Sequence, residues 1–156
     1  MITRQNNGFE LIDFIEMNEM EMNKYHPLAG SHAIIEIKGG YLLGFNSLRQ
    51  QWEVPAGKRE KGETPLECAQ RELLEETGQF VEDLEFIGLA RVRNLQNETE
   101  KFNPIYYSSV DSLLPFQENV EMTEIRLWDL KETIHIDQVD LAILDYVSLL
   151  KLRDKK

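Results

Sequence analysis

The chain has 156 residues, 42% hydrophobic and 29% charged, enough for one core that buries roughly 68–70% of the unfolded surface without disulfide or metal staples. Its 17 Lys and Arg stand against 28 Asp and Glu, a formal net charge of -11, which excludes a grip on duplex DNA or an anionic membrane and means that phosphate is met through an intervening cation. Cys68 is the single cysteine, so a disulfide framework and a multi-cysteine zinc site are excluded, and a reducing compartment, the cytoplasm, is expected.

The opening Met1-Ile2-Thr3-Arg4-Gln5-Asn6-Asn7-Gly8 has no apolar core of signal-peptide length, and no later stretch has the roughly 18 uninterrupted apolar residues of a membrane span. Neither targeting nor membrane crossing is expected. No repeat or Pro/Gly/Ser linker divides the sequence, so residues 1–156 are expected to form a single domain. Phe9 to Ile15 reads as a strand, an N-terminal strand over about residues 9–16, while Met17 to Lys24 fits either its continuation or a short helix. Ser31 to Ile37 and Tyr41 to Phe45 flank Lys38-Gly39-Gly40, a hairpin whose Gly-Gly pair is expected to supply positive φ. Trp52-Glu53-Val54 is a third extended piece, stopped by Pro55.

The period then becomes helical. Thr64, Pro65 and Glu67 are an N-cap, a first-turn proline and a capping-box acid, and Gly78 is the matching stop. Leu66, Ala69, Leu73 and Leu74 are the expected buried stripe, with Glu67, Arg71, Glu72, Glu75 and Glu76 on other faces. Leu84 to Arg93, Ile105 to Val110 and Glu124 to Leu130 read as strands, and Val139 to Leu152 as an amphipathic helix with basic residues at its end. The expected class is α+β, a mixed sheet with helices packed on it.

Chemistry is concentrated in the first helix. Glu72, Glu75 and Glu76 lie at i, i+3 and i+4, on one face with Cβ atoms roughly 5–6 Å apart. At an effective dielectric near 20, each pair of charges at ~5 Å repels by roughly 3 kcal/mol. A hard divalent cation with oxygen ligands, shared with substrate phosphates, relieves that crowding. Taken singly, each glutamate also fits a solvated helix face. Arg71, with Glu67 and Glu75 at i−4 and i+4, fits either a helix-surface pair or a group that orients a ligand carboxylate. Glu63, just before the helix, fits that orienting role or a favourable place at the helix dipole.

The segment Gly57 to Gln79, GKREKGETPLECAQRELLEETGQ, resembles the signature box of the Nudix hydrolases: Gly57, five residues, Glu63, seven residues, then Arg71-Glu72, Leu73, Leu74, Glu75-Glu76, Thr77, Gly78. It departs at Gln79, where the family has an apolar residue. The order of flanking elements extends the resemblance over about Pro27 to Leu152. It implies a Nudix fold, a mixed sheet sandwiched between helices (α/β/α), and hydrolysis of nucleoside diphosphates linked to another moiety, with Mg²⁺ or Mn²⁺, by an activated water. It further implies that Glu72, Glu75, Glu76 and the carbonyl of Ala56 bind metal, and that Glu63 and Arg71 orient them.

In many family members the proton acceptor precedes the last core strand. By the resemblance Glu121 is nearest that position, with Glu118, Glu124 or a box glutamate such as Glu75 as alternatives. A solvated acidic loop is the plain reading of the same residues. Cys68 is expected to be a small, partly buried side chain, and His26, His32 and His135 are ordinary loop or strand residues. Trp52, Phe102, Tyr106 and Tyr107 are base-stacking candidates, most of them expected in the core.

Pro55-Ala56-Gly57 resembles the segment often found in members acting on ADP-ribose and other nucleotide sugars, which gives those substrates a slight preference. The proline such members carry about sixteen residues past the box is replaced here by the region of Leu95 and Gln96, the next proline being Pro104. A nucleoside triphosphate pyrophosphohydrolase and a nucleotide-sensing module are the alternatives. An isopentenyl diphosphate isomerase, which the fold also resembles, needs a cysteine outside the box helix. The partner is a small-molecule nucleotide, and a homodimer is compatible with the sequence.

Overall fold

A computed structural model describes residues 5–6 and 8–154. Its elements, in chain order, are β1 (Gln5–Asn6), β2 (Phe9–Glu16), a 3-10 helix (Glu19–Lys24), β3 (Ser31–Ile37), β4 (Gly40–Asn46), β5 (Gln51–Glu53) and β6 (Ala56–Gly57). Then come α1 (Pro65–Thr77), β7 (Glu85–Asn94), β8 (Glu100–Ser109), β9 (Met122–Trp128) and α2 (Gln138–Asp154). The open stretch after β2 is therefore helical. The hairpin lies where the alternation places it, but positive φ falls on Lys38 (49°) and Gly39 (85°), while Gly40 already begins β4. Gly40 serves a close approach instead, since a Cβ there would stand 3.2 Å from that of Leu127 on β9.

β8 starts five residues earlier than the sequence suggests, because Pro104 does not end it. Pro104 lies opposite Leu89 of β7, between two stretches of pairing on its other side: Phe102 pairs with Leu28, and the ladder to β3 begins at Ile105. A missing N–H is tolerated where a ladder is interrupted.

The strands form one mixed sheet in the order β1-β2-β7-β8-β3-β4-β5, with β6 on β3 and β9 on β4. The β3–β8 pair is parallel, and the other strand pairs are antiparallel. Alternation along the strands sends side chains to two cores. Ile34, Tyr41, Leu43, Trp52 and Ile105 meet Val139, Ala142, Ile143, Leu144 and Val147 of α2, whereas Ala33, Ile35, Leu42 and Tyr106 meet Ala69 and Leu73 of α1. One helix on each face is the α+β sandwich expected. Among the described residues no helix is long and apolar enough to cross a membrane.

Helix α1 begins and ends as its sequence dictates. Thr64 Oγ1 accepts from Glu67 N–H (3.1 Å), Thr64 N–H donates to Glu67 Oε1 (2.9 Å), and Gly78 closes the helix at φ 77°. The buried stripe, however, is rolled toward the carboxylates. Cys68, Ala69, Leu73, Glu76 and Thr77 are buried, and Leu74 is 49% exposed. The cause is β6, which packs on the Glu72/Glu76 side of the helix. Gln79 is buried rather than apolar: its amide donates to the carbonyls of Thr77 and Leu114 and accepts from Leu114 N–H, tying the 110–117 loop to the end of α1.

Candidate active site

The box carboxylates occupy three different environments. Glu75 is exposed, Glu72 is half-buried and Glu76 is buried. Arg71 lies across the outer two: Nη1 donates to Glu72 Oε1 (2.8 Å) and Glu75 Oε2 (3.2 Å), Nε and Nη2 grip Glu63 (2.6 and 3.1 Å), and Nη2 reaches the Lys58 carbonyl (2.9 Å). Part of the positive charge that the crowded face demands is thus supplied by the chain itself. Glu67, the other expected neighbour of Arg71, is taken by the Thr64 cap. Arg71's hydrogen bonds, helped by the Glu60 N–H, hold the Glu63 carboxyl down at about 2. Glu72 is raised, burial outweighing Arg71.

Gly57 has no side chain because Glu72 occupies the place. A Cβ on Gly57 would lie 2.1–2.4 Å from the Glu72 carboxyl atoms. Gly57→Ala is therefore expected to lower turnover by about 10- to 100-fold by displacing one carboxylate. Circular dichroism should show the secondary structure retained, and unchanged kinetics would contradict the close approach. Cys68, expected partly buried, is fully buried, and its thiol donates to the Gly57 carbonyl at 3.3 Å. Burial pushes that thiol up, away from thiolate chemistry.

Glu76 turns inward. Its Oε1 accepts from Ala56 N–H (3.0 Å), and burial, with the charges of Glu72, Glu121 and Glu53 around it, pushes its carboxyl up to about 9. Glu121 immediately precedes β9. Its backbone is fixed by Ser47 N–H on its carbonyl (2.8 Å) and by Asn119 Oδ1 on its N–H (3.0 Å), while the Asn119 amide donates to the Glu75 carbonyl (3.1 Å). Asn46, fully buried, donates through one Nδ2 to Glu53 Oε1 (3.0 Å) and Glu121 Oε1 (3.4 Å). Among the fallback acids, Glu118 lies in a groove beside Leu74 and Glu75, and Glu124 sits on β9 opposite Phe45.

Sequence reasoning missed Glu53. It is buried on β5 and receives Asn46, both contacts of the Arg49 guanidinium (3.0 and 3.1 Å) and Gln51 (2.7 Å). An acid set between Trp52 and Val54 in an extended piece of three residues was the available signal. It also lines a cavity of about 450 Å³ on the α2 side of β6, with Ala56, Gly57, Asn103, Asp137 and Asp140. Asp137 caps α2, accepting from Val139 and Asp140 N–H, and Asp140 Oδ2 accepts from Val54 N–H. Burial and the neighbouring charges of Asp140 and Glu53 raise Asp137.

Arg49, Lys58 and Lys101 stand around the same cavity, three cations in a strongly acidic chain. Its aromatic is Phe9, with Lys101 Nζ 4.3 Å above the ring. Of the four base-stacking candidates, Trp52, Tyr106 and Tyr107 are core, as expected of most of them, and Phe102 packs edge-on against Tyr25. His32 lies on β3, as an ordinary strand residue, but its Nε2 stands 3.4 Å from Asp140 Oδ1 at the cavity wall.

Residues 32–147 match the family model described as NUDIX domain. The chain belongs to the Nudix family. Solved Nudix structures share its fold. A Bacillus subtilis pyrophosphohydrolase superposes with a TM-score of 0.71 at 22% identity, covering 92% of this chain and 90% of that one. The NUDIX domain of Shewanella oneidensis NrtR, complexed with ADP ribose, gives 0.67 at 14% identity over 85% and 97%. An ADP-ribose pyrophosphatase from Streptococcus suis gives 0.52 at 18% identity over 78% and 90%.

Nudix hydrolases generally use divalent metal ions. The donor set fits such an ion in kind, being carboxylate and backbone carbonyl oxygens only. In charge it fits as well, since Glu76 sits buried among other anions with one backbone hydrogen bond. Among the described residues no three His, Cys, Asp or Glu side chains already close around a point. Arg71 holds Glu72 and Glu75, so an ion would compete with it for their oxygens.

Proposed function

We propose that this Nudix protein is a Mg²⁺- or Mn²⁺-dependent hydrolase of a diphosphate joining a nucleoside to a second moiety, nucleotide sugars such as ADP-ribose being slightly favoured. Hydrolysis of pyrophosphate bonds accords with the family. The observation that carries the reading is Glu76, a buried carboxyl surrounded by the charges of Glu72, Glu121 and Glu53 and bonded to the N–H of Ala56, a residue lining a cavity rimmed by cations. Glu72, Glu75, Glu76 and the Ala56 carbonyl would hold the metal. When bound, that ion supplies charge neutralisation on the diphosphate and a lowered pKa for a water.

The chain's own groups do the rest. Arg71, fixed by Glu63, orients Glu72 and Glu75. Arg49, Lys58 and Lys101 offer charge-assisted hydrogen bonds to phosphate oxygens. Glu121 takes the proton of the attacking water, supported in that role by its exposed carboxylate, its Asn46 hydrogen bond and its influence on Glu76. Glu121→Gln should lower kcat by about 10²- to 10⁴-fold, the residual rate rising with pH as hydroxide replaces the missing acceptor. Full activity in that variant would move the role to Glu118, Glu124 or Glu75.

A panel of nucleotide sugars, nucleoside triphosphates and dinucleoside polyphosphates, assayed with Mg²⁺ and with every product identified, tests the function. AMP plus a sugar phosphate is the expected outcome for ADP-ribose. Inorganic pyrophosphate plus a monophosphate would identify a triphosphate pyrophosphohydrolase. Tight binding with no cleavage would identify a sensor.

A further inference from the structure

The cavity wall carries two buried polar atoms without partners. Asn103 Oδ1 and His32 Nδ1 have no hydrogen-bond partner, and among the described residues the Asn103 amide makes no side-chain hydrogen bond at all. Both residues are more than nine-tenths buried and both line the cavity. Their placement follows from the sheet: His32 pairs with Ile105, two residues beyond Asn103, so the two side chains leave the same face. Opposite Asn103 on β7 stands Ala90, small enough to leave the face open. Val54, Val92 and Val139 give the cavity apolar walls.

An orphaned buried acceptor is costly in a folded protein unless a ligand or an ordered water satisfies it. A side-chain amide among apolar walls is also suited to a nucleobase edge, on which asparagine pairs with an amino group and the adjacent ring nitrogen. We propose that Asn103, with His32 beside it, selects a nucleobase bearing an exocyclic amino group of the adenine type. This rests on the diphosphatase reading and gives that substrate its base. Arg49, Lys58 and Lys101 would keep the phosphates outward, toward Gly57 and the box, and leave the base to enter between the valines.

Calorimetric titration of AMP and of IMP, which differ in the 6-amino against 6-oxo group, tests this without requiring turnover. The wild-type protein is expected to bind AMP more tightly by on the order of 10-fold or more. Asn103→Leu should bring the ratio close to one, mainly by weakening AMP. Asn103→Asp, which keeps an acceptor, should retain part of the preference. Equal binding of the two nucleotides by the wild type, or binding of neither, overturns the proposal. So does an unchanged preference in Asn103→Leu. If Asn103→Leu does not melt cooperatively, the wild-type ratio and Asn103→Asp decide. Failure to cleave any diphosphate in the substrate panel would overturn the enzymatic reading instead, leaving the AMP/IMP ratio to stand or fall by itself.

Discussion

Glu76→Gln is expected to remove nearly all turnover and, in the absence of metal, to make the protein more stable. The two effects share one cause. Glu76 is buried, and its folded carboxyl lies at about 9, against an ordinary value of 4.5. The folded state therefore keeps a proton that the unfolded chain gives up, and stability falls as pH rises from 4.5 toward 9, by up to about 1.4 kcal/mol per pH unit. At pH 7 the cost is on the order of 3 kcal/mol. Gln carries no charge and keeps an oxygen for the Ala56 N–H, so it escapes that cost while preserving the hydrogen bond. Urea unfolding in EDTA should show the variant gaining stability at pH 8 and nothing below pH 4.5. Turnover should fall about 10²- to 10³-fold, the equivalent of several kcal/mol of lost transition-state stabilisation. A variant with wild-type rate would remove Glu76 from the metal set. One with no stability gain at pH 8 would show that the buried charge is already relieved.

Arg71→Ala is expected to act in the opposite direction on stability. It deprives Glu63 and Glu72, whose side chains are 12% and 15% exposed, of the cation that satisfies them. Breaking a largely buried pair by removing one member costs about 3 kcal/mol, or roughly 6–12 °C in Tm for a chain of this length. Arg71→Lys should recover less than half, because one ammonium cannot span both oxygens of Glu63 together with Glu72, Glu75 and the Lys58 carbonyl. The pH dependence has a defined sign. Glu63 is held at about 2, so its pairing with Arg71 stabilises fully above the ordinary 4.5 and is lost as pH falls from there toward 2. The gap in Tm between wild type and Arg71→Ala should close over that acidic range. A gap independent of pH would mean that Arg71 acts through packing rather than through Glu63.

What the sequence determined is everything written in short spacings. The hairpin, the Thr64 cap, the Gly78 stop and the box glutamates at i, i+3 and i+4 all depend on residues a few positions apart. Such patterns act through local geometry and need no knowledge of the fold. The tertiary structure alone decided which of those glutamates is buried, because that depends on β6 covering one side of α1. It alone brought the Glu63 carboxylate onto Arg71, whereas the claim of the Thr64 cap on Glu67 is local. It also brought Asn46, and with it Glu53, to Glu121 across the 75 residues between Asn46 and Glu121, and Val54 to Asp140 across 86. Asn103 and His32 were placed side by side by a parallel strand register that no local pattern specifies. Desolvation and charge pairing are set by whatever the sheet brings within a few ångströms, and sheet register is fixed by the packing of both cores at once.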